Sequence, residues 1–423
     1  MIDEFQEFFT EEDRVSQAAA VLLDRIVRQG RAFGIHVVLG SQTLGGAYTL
    51  ARATIGQMVI RIALQCNEAD AYLIMDQDNP APRLLSRPGE GIYNDASGAI
   101  EGNSPFQAVW LSDSERDNQL AKIRALADQS PGKYPGPIIF EGNAPADVQE
   151  NLPLRDALKS VPAAAPAQAR IWLGAPNSIK GPTEVVFQRQ SGSSLLVVGQ
   201  SEERALTCLA VAMLSLSAQY PSGKLLFVVL DGGAPGSSEH EFFRQVLGAI
   251  PHEILQVNNA NVAEVFGGLA KDLKRRGEEE AVPAPDIFVL IHGLQNYKKL
   301  RSEDEFSFSS SDSGDGPNPA AILLDLLREG PAHGIHVLAT CDTYNSANRF
   351  LGRKTLSEFE ARVLFQMSAA DSASLIDDPA AGTLGFYRAL LYRDREGTIE
   401  IFRPYARPDR EWIETAARGG ARK

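Results

Sequence analysis

Short, continuously apolar segments alternate with longer amphipathic segments along most of the 423-residue chain. Residues 195–198 and 225–230 have the length of buried strands, and no apolar run approaches the ~20 residues that a membrane-spanning helix requires. Strands that are apolar throughout and alternate with helices are typical of parallel sheets covered on both faces. The pattern therefore predicts an α/β fold on a mainly parallel sheet, with no membrane segment in this chain.

The pattern occurs twice along the chain. Residues 34–37 and 334–337 both read Gly-Ile-His-Val, and each follows a segment containing Leu-Leu-Asp, at residues 22–24 and 323–325. Further identities continue downstream at nearly the same spacing: Arg61 with Arg362, Gln65 with Gln366, Asp70 with Asp371, Asp76 with Asp377, and Gly98 with Gly397. Matching residues at fixed spacing indicate two copies of one ancestral unit.

Each copy predicts a helix, a strand, a further helix, a second strand and a hairpin. In the first copy the helix ends near Gly34, the strands cover residues 36–39 and 59–64, and the hairpin lies near Gly98. The second copy has an additional front half, with predicted strands at residues 195–198, 225–230, 253–257 and 287–291 and helices at residues 205–218, 242–247 and 263–276.

The first copy lacks this front half. Aligning residues 2–6 with residues 291–295 leaves one residue before Ile2, whereas the second copy extends back to residue 171. We therefore expect residues 1–127 to be the C-terminal half of a module, 128–170 to be a Pro/Ala/Gly-rich connection, and 171–423 to be a complete second module. The chain is then the C-terminal part of a longer protein, or one piece of a split pair.

Composition narrows the functional classes. Acidic residues outnumber basic ones by 54 to 41, which gives a net charge of −13. A protein that coats DNA through its overall charge is disfavoured, because phosphate neutralisation needs clustered Lys and Arg. The three cysteines are scattered singly, so disulfides and structural zinc are not expected, and a reducing cytoplasm fits best. The acidic N-terminal segment is not a secretory signal peptide.

Three polar residues stand next to predicted strand ends in the first copy. Asp3 and Glu4 follow one apolar position, and Gln42 follows the strand at residues 36–39. In nucleoside triphosphatases a first carboxylate holds the hydration shell of magnesium and a second polarises the attacking water. Taken alone, the acidic pair also fits a helix N-cap followed by glutamate, and the glutamine also fits a surface loop.

These residues belong to a larger pattern. Residues 1–9 (MIDEFQEFF), 31–43 (RAFGIHVVLGSQT) and 60–65 (IRIALQ) resemble the FtsK/SpoIIIE branch of RecA-like motor ATPases, which includes DNA translocases and the multi-module ATPases of type VII secretion. The resemblance is specific over residues 1–110 and extends more weakly over residues 171–410. It implies RecA-like P-loop NTPase modules, the first truncated at its N-terminus and the second complete but degenerate.

The resemblance also implies roles for individual residues. Asp3 and Glu4 correspond to the Walker B pair, with Asp3 holding Mg²⁺ through water and Glu4 acting on the attacking water. Gln42 corresponds to the sensor of bound ATP. Arg61 lies near a subunit boundary in this interpretation, although Arg61 and Arg362 also fit simple polar strand positions. The intact protein would form a homo-oligomeric ring.

The second copy departs from the phosphate-binding pattern. After Gly199 it has Arg204, Ala205 and Leu206 where GxxxxGK[ST] requires Gly, Lys and Ser or Thr, so the phosphate-clamping ammonium and the magnesium hydroxyl are missing. Gly199 and Arg204 remain as candidate contacts for a weakly bound nucleotide; the alternative is a purely structural role.

Other motif positions depart as well. Residues 292–293 (His-Gly) replace the acidic pair, and Asp342 replaces the sensor glutamine. The family's Asp-Ser-Arg reads Asp-Ala-Tyr at residues 70–72 and Asp-Ser-Ala at residues 371–373, so neither copy supplies that arginine to a neighbouring site. Hydrolysis by the second copy is not expected.

The sequence thus predicts part of an ATP-dependent translocase whose first module hydrolyses ATP once its missing P-loop half is supplied. The second module would serve assembly or substrate docking. DNA and a secreted protein are both open as the translocated substrate, and the acidic balance modestly favours protein. The location is cytoplasmic, with membrane association only through missing regions or partners. The alternative is a non-enzymatic interaction platform built from inactive modules.

Overall fold

A computed structural model describes residues 1–10, 13–44, 52–129, 142–178, 180–278, 284–301 and 318–419. The chain divides into two compact units, Met1–Ile138 and Ile139–Lys423. The division falls within the predicted connection, of which residues 130–141 lie outside the described residues. Among the helices of the described residues, none is both long enough and apolar enough to cross a membrane.

The first unit contains a small antiparallel sheet in the order β1-β2-β3. Its strands are β1 (Arg61–Leu64), β2 (Glu90–Asn94) and β3 (Asn103–Gln107), and its α-helices are α1 (Arg14–Gln29), α2 (Arg52–Gly56), α3 (Glu68–Ile74) and α4 (Asp113–Asp128). Short 3-10 helices cover Phe5–Phe9, Gly30–Phe33, Ala81–Leu84 and Ile100–Gly102. The hairpin predicted near Gly98 is confirmed as β2 and β3, and Gly98 takes a positive φ of 93°.

The second unit is built on a ten-stranded sheet in the order β5-β4-β13-β12-β11-β6-β10-β9-β7-β8. Its strands are β4 (Ala169–Pro176), β5 (Thr183–Phe187), β6 (Leu195–Val198), β7 (Leu225–Asp231), β8 (Glu253–Val257), β9 (Asp286–His292), β10 (Ile335–Cys341), β11 (Ala361–Leu364), β12 (Ala389–Arg393) and β13 (Thr398–Pro404). The strands from β11 to β8 in this order pair in parallel, and the other four are antiparallel. The predicted α/β class with a mainly parallel sheet is confirmed.

Helices cover both faces of this sheet. They are α5 (Leu152–Lys159), α6 (Glu202–Ser217), α7 (Ser238–Ala249), α8 (Val262–Glu278), α9 (Pro319–Arg328), α10 (Tyr344–Leu356), α11 (Ala369–Ile376) and α12 (Arg410–Gly419). One core cluster joins the sheet to α6, α7 and α12, and a second joins its other face to α8, α9, α10 and α11. Full burial of each large apolar side chain contributes about 1.5–3 kcal/mol, so the two clusters dominate the stability of the unit.

Helix α6 is apolar on all sides because it lies inside this core. Its residues from Ala205 to Leu216 are buried, including two hydroxyl side chains. Thr207 donates to the carbonyl of Glu203, and Ser215 donates to the carbonyl of Val211, each at 2.7 Å. These bonds to the preceding turn satisfy the hydroxyl groups without leaving the helix.

The prediction of a regular strand at residues 36–39 is wrong. The segment is extended but has one isolated parallel bridge, from Leu39 to Ile2. Its counterpart β10 lies between β9 and β6, and a parallel ladder needs such neighbours. Among the described residues, the segment at 36–39 has a neighbour on one side only.

The single bridge nevertheless supports the repeat alignment. In the second unit Ala339 pairs with Ile291, and these are the residues aligned with Leu39 and Ile2. The exposure of the two copies differs sharply: Val38 is 57% exposed, whereas its counterpart Leu338 is 0% exposed. The same backbone arrangement is therefore buried in one unit and open in the other.

His336 on β10 is a buried histidine within the core of the second unit. Its Nδ1 lies 2.7 Å from the carbonyl oxygen of Ser193, and its ring stacks on Phe288 with centroids 5.1 Å apart. Burial lowers the pKa of His336 to about 4, against an opposing effect of the hydrogen bond to Ser193. The folded protein therefore holds this ring neutral where an unfolded chain would protonate it.

We predict that His336 makes the second unit less stable as the pH falls. Between pH ~6.5 and 4 the unfolded chain binds a proton that the folded chain does not, so the free energy of unfolding decreases toward pH 4 by about 2–3 kcal/mol. His336→Phe should reduce this pH dependence, although it also removes the bond to Ser193. The exposed counterpart His36→Phe is the control. Denaturant unfolding at pH 7 and 4.5 measures the effect, and equal pH dependence in His336→Phe and the unmodified chain would contradict it.

Candidate functional site

The N-terminal residues lie against the segment that precedes Gln42. The amide of Ile2 donates to the carbonyl of Val38 at 2.9 Å, and the amide of Gly40 donates to the carbonyl of Ile2 at 2.8 Å. This pairing brings two predicted site residues together: Nε2 of Gln42 donates to Oε1 of Glu4 at 2.8 Å. Residues 38 positions apart in sequence thus form one polar site at the end of the extended segment.

Glu4 has an unusual backbone conformation. Its φ of 49° and ψ of 43° lie in the left-handed region, where a non-glycine residue is strained. The counterpart in the second unit is Gly293, with φ 68° and ψ 63°. The turn thus has the same shape in both units, and glutamate occupies it in the first unit although glycine would fit with less strain.

The second carboxylate oxygen of Glu4 has its own donor. Nε2 of Gln6 lies 2.5 Å from Oε2 of Glu4, and Oε1 of Gln6 accepts a hydrogen bond from Oγ of Ser41 at 2.5 Å. The hydrogen bonds from Gln6 and then Gln42 lower the pKa of Glu4, so it remains a carboxylate at neutral pH. Gln6 and Ser41 were not predicted as site residues; the identity of Gln6 with Gln295 in the repeat was the available signal.

Asp3 lies beside Glu4 and is exposed to solvent. A β-carbon at Gly40 would lie 2.7 Å from Oδ1 of Asp3, so the glycine leaves room for this carboxylate. An exposed carboxylate oxygen is a ligand that Mg²⁺ accepts, directly or through water. Among the described residues, no group of three or more His, Cys, Asp or Glu side chains is placed to hold a metal ion.

Asp70 anchors the loop that follows Gln42. Its Oδ1 accepts hydrogen bonds from Oγ1 of Thr43 at 3.0 Å and from the amide of Leu44 at 2.8 Å. Its Oδ2 accepts a hydrogen bond from Nδ2 of Asn67 at 2.7 Å, and Asp70 is only 5% exposed. The loop carrying Gln42 is therefore tied to the first turn of α3.

Arg61 and Arg362 make equivalent contacts in the two units. Nη1 of Arg61 donates to the carbonyl of Ile74 at 3.0 Å, and Nη1 of Arg362 donates to the carbonyl of Leu375 at 2.7 Å. These carbonyls belong to the last turns of α3 and α11, where helices leave carbonyl groups without intrahelical donors. Each guanidinium thus caps the C-terminal end of the helix that follows its own strand.

The second unit has a cavity of about 430 Å³ where the parallel strands β6, β7, β9 and β10 end. Crevices at the carboxyl ends of parallel strands are the usual ligand sites of α/β folds. The lining residues are Gly199, Gln200, Glu202, Ala205, Gly232, Ala234, His292, Gly293, Gln295, Asn296, Thr340, Cys341 and Asp342. These described lining residues include two carboxylates and no lysine or arginine, so the cavity is poorly suited to a triphosphate.

The loop after Gly199 does not form a phosphate cradle. Helix α6 begins at Glu202, three positions earlier than predicted, and its first turn carries Glu202 and Glu203. The amino end of a helix carries a partial positive charge that attracts phosphate. Here the carboxylates of Glu202 and Glu203 neutralise that charge, so the helix end is a weaker site for a phosphate. A β-carbon at Gly199 would lie 2.6 Å from Cβ of Phe365, which explains the glycine by packing.

The structure places Arg204 away from this cavity. Its guanidinium carbon lies 3.9 Å from the centroid of the Phe386 ring, and Nη1 donates to the carbonyl oxygen of Phe386. Of the two predicted contacts to a nucleotide, Gly199 lines the cavity and Arg204 does not. The guanidinium is engaged in a cation–π contact instead.

His292 stands where the first unit has Asp3. Its Nδ1 lies 3.0 Å from Oδ1 of Asp231, and Nδ1 of His240 lies 2.8 Å from Oδ2 of the same carboxylate. Burial raises the pKa of Asp231, but the hydrogen bonds from His292, the amide of Gly233 and His240 outweigh it and lower the pKa. These contacts link the ends of β7 and β9 to α7.

The mainly parallel sheet with helices on both faces is a RecA-like fold. Solved structures with this fold include the cytoplasmic domain of the Thermomonospora curvata type VII secretion ATPase EccC, at TM-score 0.60 and 17% identity over 99% of this chain and 49% of that one. EssC ATPases 2 and 3 from Geobacillus thermodenitrificans match at TM-score 0.53 and 13% identity, over 94% of this chain and 69% of that one.

Curated relatives are type VII secretion proteins as well. EccC3 of the ESX-3 system of Mycobacterium tuberculosis is 23% identical over 387 residues, which is 77% of this chain and 27% of the relative. EccC5 of the ESX-5 system of Mycobacterium marinum is 33% identical over 111 residues, 26% of this chain and 7% of the relative. No family model matches.

Both comparisons confirm the predicted resemblance to the branch of ATPases that includes those of type VII secretion. The chain spans less than a third of the length of these curated relatives. At these identities, the solved structures establish the fold of the chain.

We predict that Asp70→Ala loosens the loop after Gln42 and destabilises the first unit by about 1–3 kcal/mol, because the donors of Thr43 and Leu44 lose their buried acceptor. Asp371→Ala is the matched control, since Asp371 occupies the same position in α11 and is less buried. Hydrogen exchange of the Leu44 amide and thermal unfolding measure the effect. Unchanged exchange at Leu44 in Asp70→Ala would refute the anchoring role.

Proposed function

We propose that this chain is part of an ATP-driven translocase of the type VII secretion kind. The first unit hydrolyses ATP once a P-loop half completes it, and the second unit serves assembly or substrate docking without hydrolysis. The observation that carries this proposal is the contact between Glu4 and Gln42, which unites a carboxylate and an amide of the types that position an attacking water.

An open strand position in the first unit supports a missing P-loop half. In the second unit Leu195 of β6 pairs with Leu338 on one side and Ala361 on the other, and all three are buried. The aligned residues of the first unit are Val38 and Ile60, at 57% and 61% exposure. Between them, the described residues of the first unit contain no strand equivalent to β6.

Further apolar side chains of the first unit are exposed where their counterparts in the second unit are buried. Ile35, Ile62 and Leu64 are each at least half exposed, and their counterparts in the second unit are buried. A parallel apolar strand followed by a glycine loop and a helix would cover them, as β6 and α6 do in the second unit. The occupant we propose therefore carries GxxxxGK[ST], from a preceding segment or from a partner subunit.

The residues of the first unit fit Mg²⁺ and ATP. Magnesium would neutralise charge on the phosphates, and ATP would supply the phosphoryl group. Asp3 would hold the hydration shell of the ion. Glu4, whose pKa is lowered by the hydrogen bonds from Gln6 and Gln42, would accept a hydrogen bond from water and orient it. Gln42 would exchange its bond to Glu4 for one to the water or to phosphate.

The second unit lacks the groups for this chemistry. Its described cavity lining has Ala205 at the lysine position, and Arg204 is stacked on Phe386. Cohesion with neighbouring copies in a ring or docking of a substrate is therefore its proposed role. If Glu4 proves to have no part in turnover, the whole chain is better explained as a non-enzymatic interaction platform.

The substrate we propose is a secreted protein rather than DNA. A solved structure of Thermomonospora curvata EccC ATPases 2 and 3 in complex with a signal sequence peptide matches at TM-score 0.53, with 13% identity over 96% of this chain and 68% of that one. The net charge of −13 also disfavours tight contact with DNA phosphates.

The test of hydrolysis uses the chain joined to a P-loop half. Glu4→Gln should reduce kcat for phosphate release at least about 100-fold and leave ATP binding nearly unchanged, because it removes the carboxylate that orients water. Asp342→Asn, at the position aligned with Gln42 in the second unit, is the control and should stay within about twofold of the unmodified protein. Turnover that survives Glu4→Gln would favour the interaction platform.

A binding measurement separates the two substrates. We expect a fluorescent signal-sequence peptide from a type VII substrate to bind the chain with a measurable change in anisotropy. Labelled duplex DNA should show no binding even at low salt, where phosphate contacts are strongest. Salt-dependent DNA binding without peptide binding would reverse the assignment.

A further inference from the structure

The side chain of Gln6 connects the two halves of the site in the first unit. Gln6 lies in the short helix Phe5–Phe9 and is only 5% exposed. Its amide nitrogen donates to Glu4, and its carbonyl oxygen accepts a hydrogen bond from Ser41, both at 2.5 Å. A buried glutamine that satisfies both ends in this way has a fixed orientation.

The second unit provides a natural comparison. Gln295 is the aligned residue, but Gly293 stands in place of Glu4 and Cys341 in place of Ser41. The carbonyl oxygen of Gln295 is buried and has no hydrogen-bond partner. The same glutamine is thus satisfied in the unit that keeps the glutamate and serine, and unsatisfied in the unit that has lost them.

We propose that Gln6 is a positioning residue that holds the carboxylate of Glu4 while Gln42 changes its partner. Glu4 accepts from Gln6 at one carboxylate oxygen and from Gln42 at the other. When Gln42 leaves to contact water or phosphate, the bond from Gln6 still fixes the carboxylate. Because Ser41 precedes Gln42 directly and binds Gln6, the glutamine also couples the loop to Glu4. This inference rests on the proposed function of the first unit.

A spectroscopic test needs no nucleotide. In the full chain labelled with [¹⁵N]glutamine, the side-chain amide of Gln42 is assigned by its loss in Gln42→Met. We expect Gln6→Met, which keeps the shape but removes both hydrogen bonds, to move the Gln42 amide signal toward the position of a free glutamine side chain. Gln57→Met, at an exposed glutamine of the same unit, is the control. An unmoved Gln42 signal in Gln6→Met overturns the proposal.

A kinetic test uses the chain joined to a P-loop half. Gln6→Met should lower kcat about tenfold and change KM less than about twofold, because the orientation of Glu4 matters for turnover more than for ATP binding. If Glu4→Gln abolishes turnover and Gln6→Met does not reduce it, the positioning role is wrong. If Glu4→Gln has no effect while the Gln42 signal still moves in Gln6→Met, the proposed hydrolysis is wrong and the contact stands.

Ser41→Ala provides a second variant should Gln6→Met unfold the first unit. It removes the hydrogen bond to the carbonyl of Gln6, together with the contact between Oγ of Ser41 and the carbonyl oxygen of Thr43, and leaves the buried glutamine in place. The expected result is a smaller displacement of the Gln42 signal and a kcat reduced about twofold to threefold. Wild-type values for both quantities in Ser41→Ala would overturn the coupling between the loop and Glu4.

Discussion

The central constraint in this protein is the pairing of an apolar parallel strand on both of its edges. In the second unit β6 is buried between β10 and β11, and its neighbours complete their hydrogen bonding through it. In the chain, β6 is followed by α6, whose apolar side chains pack against one face of the sheet. The order of the core, and the position of the cavity at the strand ends, both depend on that placement.

In the described residues of the first unit, no strand occupies the position equivalent to β6. The unit retains the register of Ile2 against Leu39 and the arginine contact to the end of α3, yet it exposes the side chains that would flank a central strand. Exposure of the Val38 and Ile60 side chains to water costs hydrophobic free energy. Burial of these side chains against a further strand would therefore add stability.

The two sites differ chemically while their backbones agree. The left-handed turn holds Glu4 in the first unit and Gly293 in the second, and the adjacent acidic residue has become His292. A carboxylate at this turn engages two glutamines, whereas the buried histidine engages the partly buried carboxylate of Asp231. The same left-handed turn is strained with glutamate in the first unit and relaxed with glycine in the second.

The sequence by itself determined the α/β class, the repeat and the positions of several strands in the second unit, because these follow from local apolar runs and from residue identities at similar spacing. It also placed Glu4 and Gln42 as members of one site. It did not predict Gln6, Ser41 or the anchoring by Asp70, since a glutamine, a serine and an aspartate carry no distinctive periodicity. It predicted a regular strand at residues 36–39, but a strand exists only where neighbours complete its hydrogen bonds.

Only the tertiary structure decided which backbone segments meet, which ring the guanidinium of Arg204 contacts, and which of two equivalent surfaces is buried. These features depend on contacts between residues far apart in the chain.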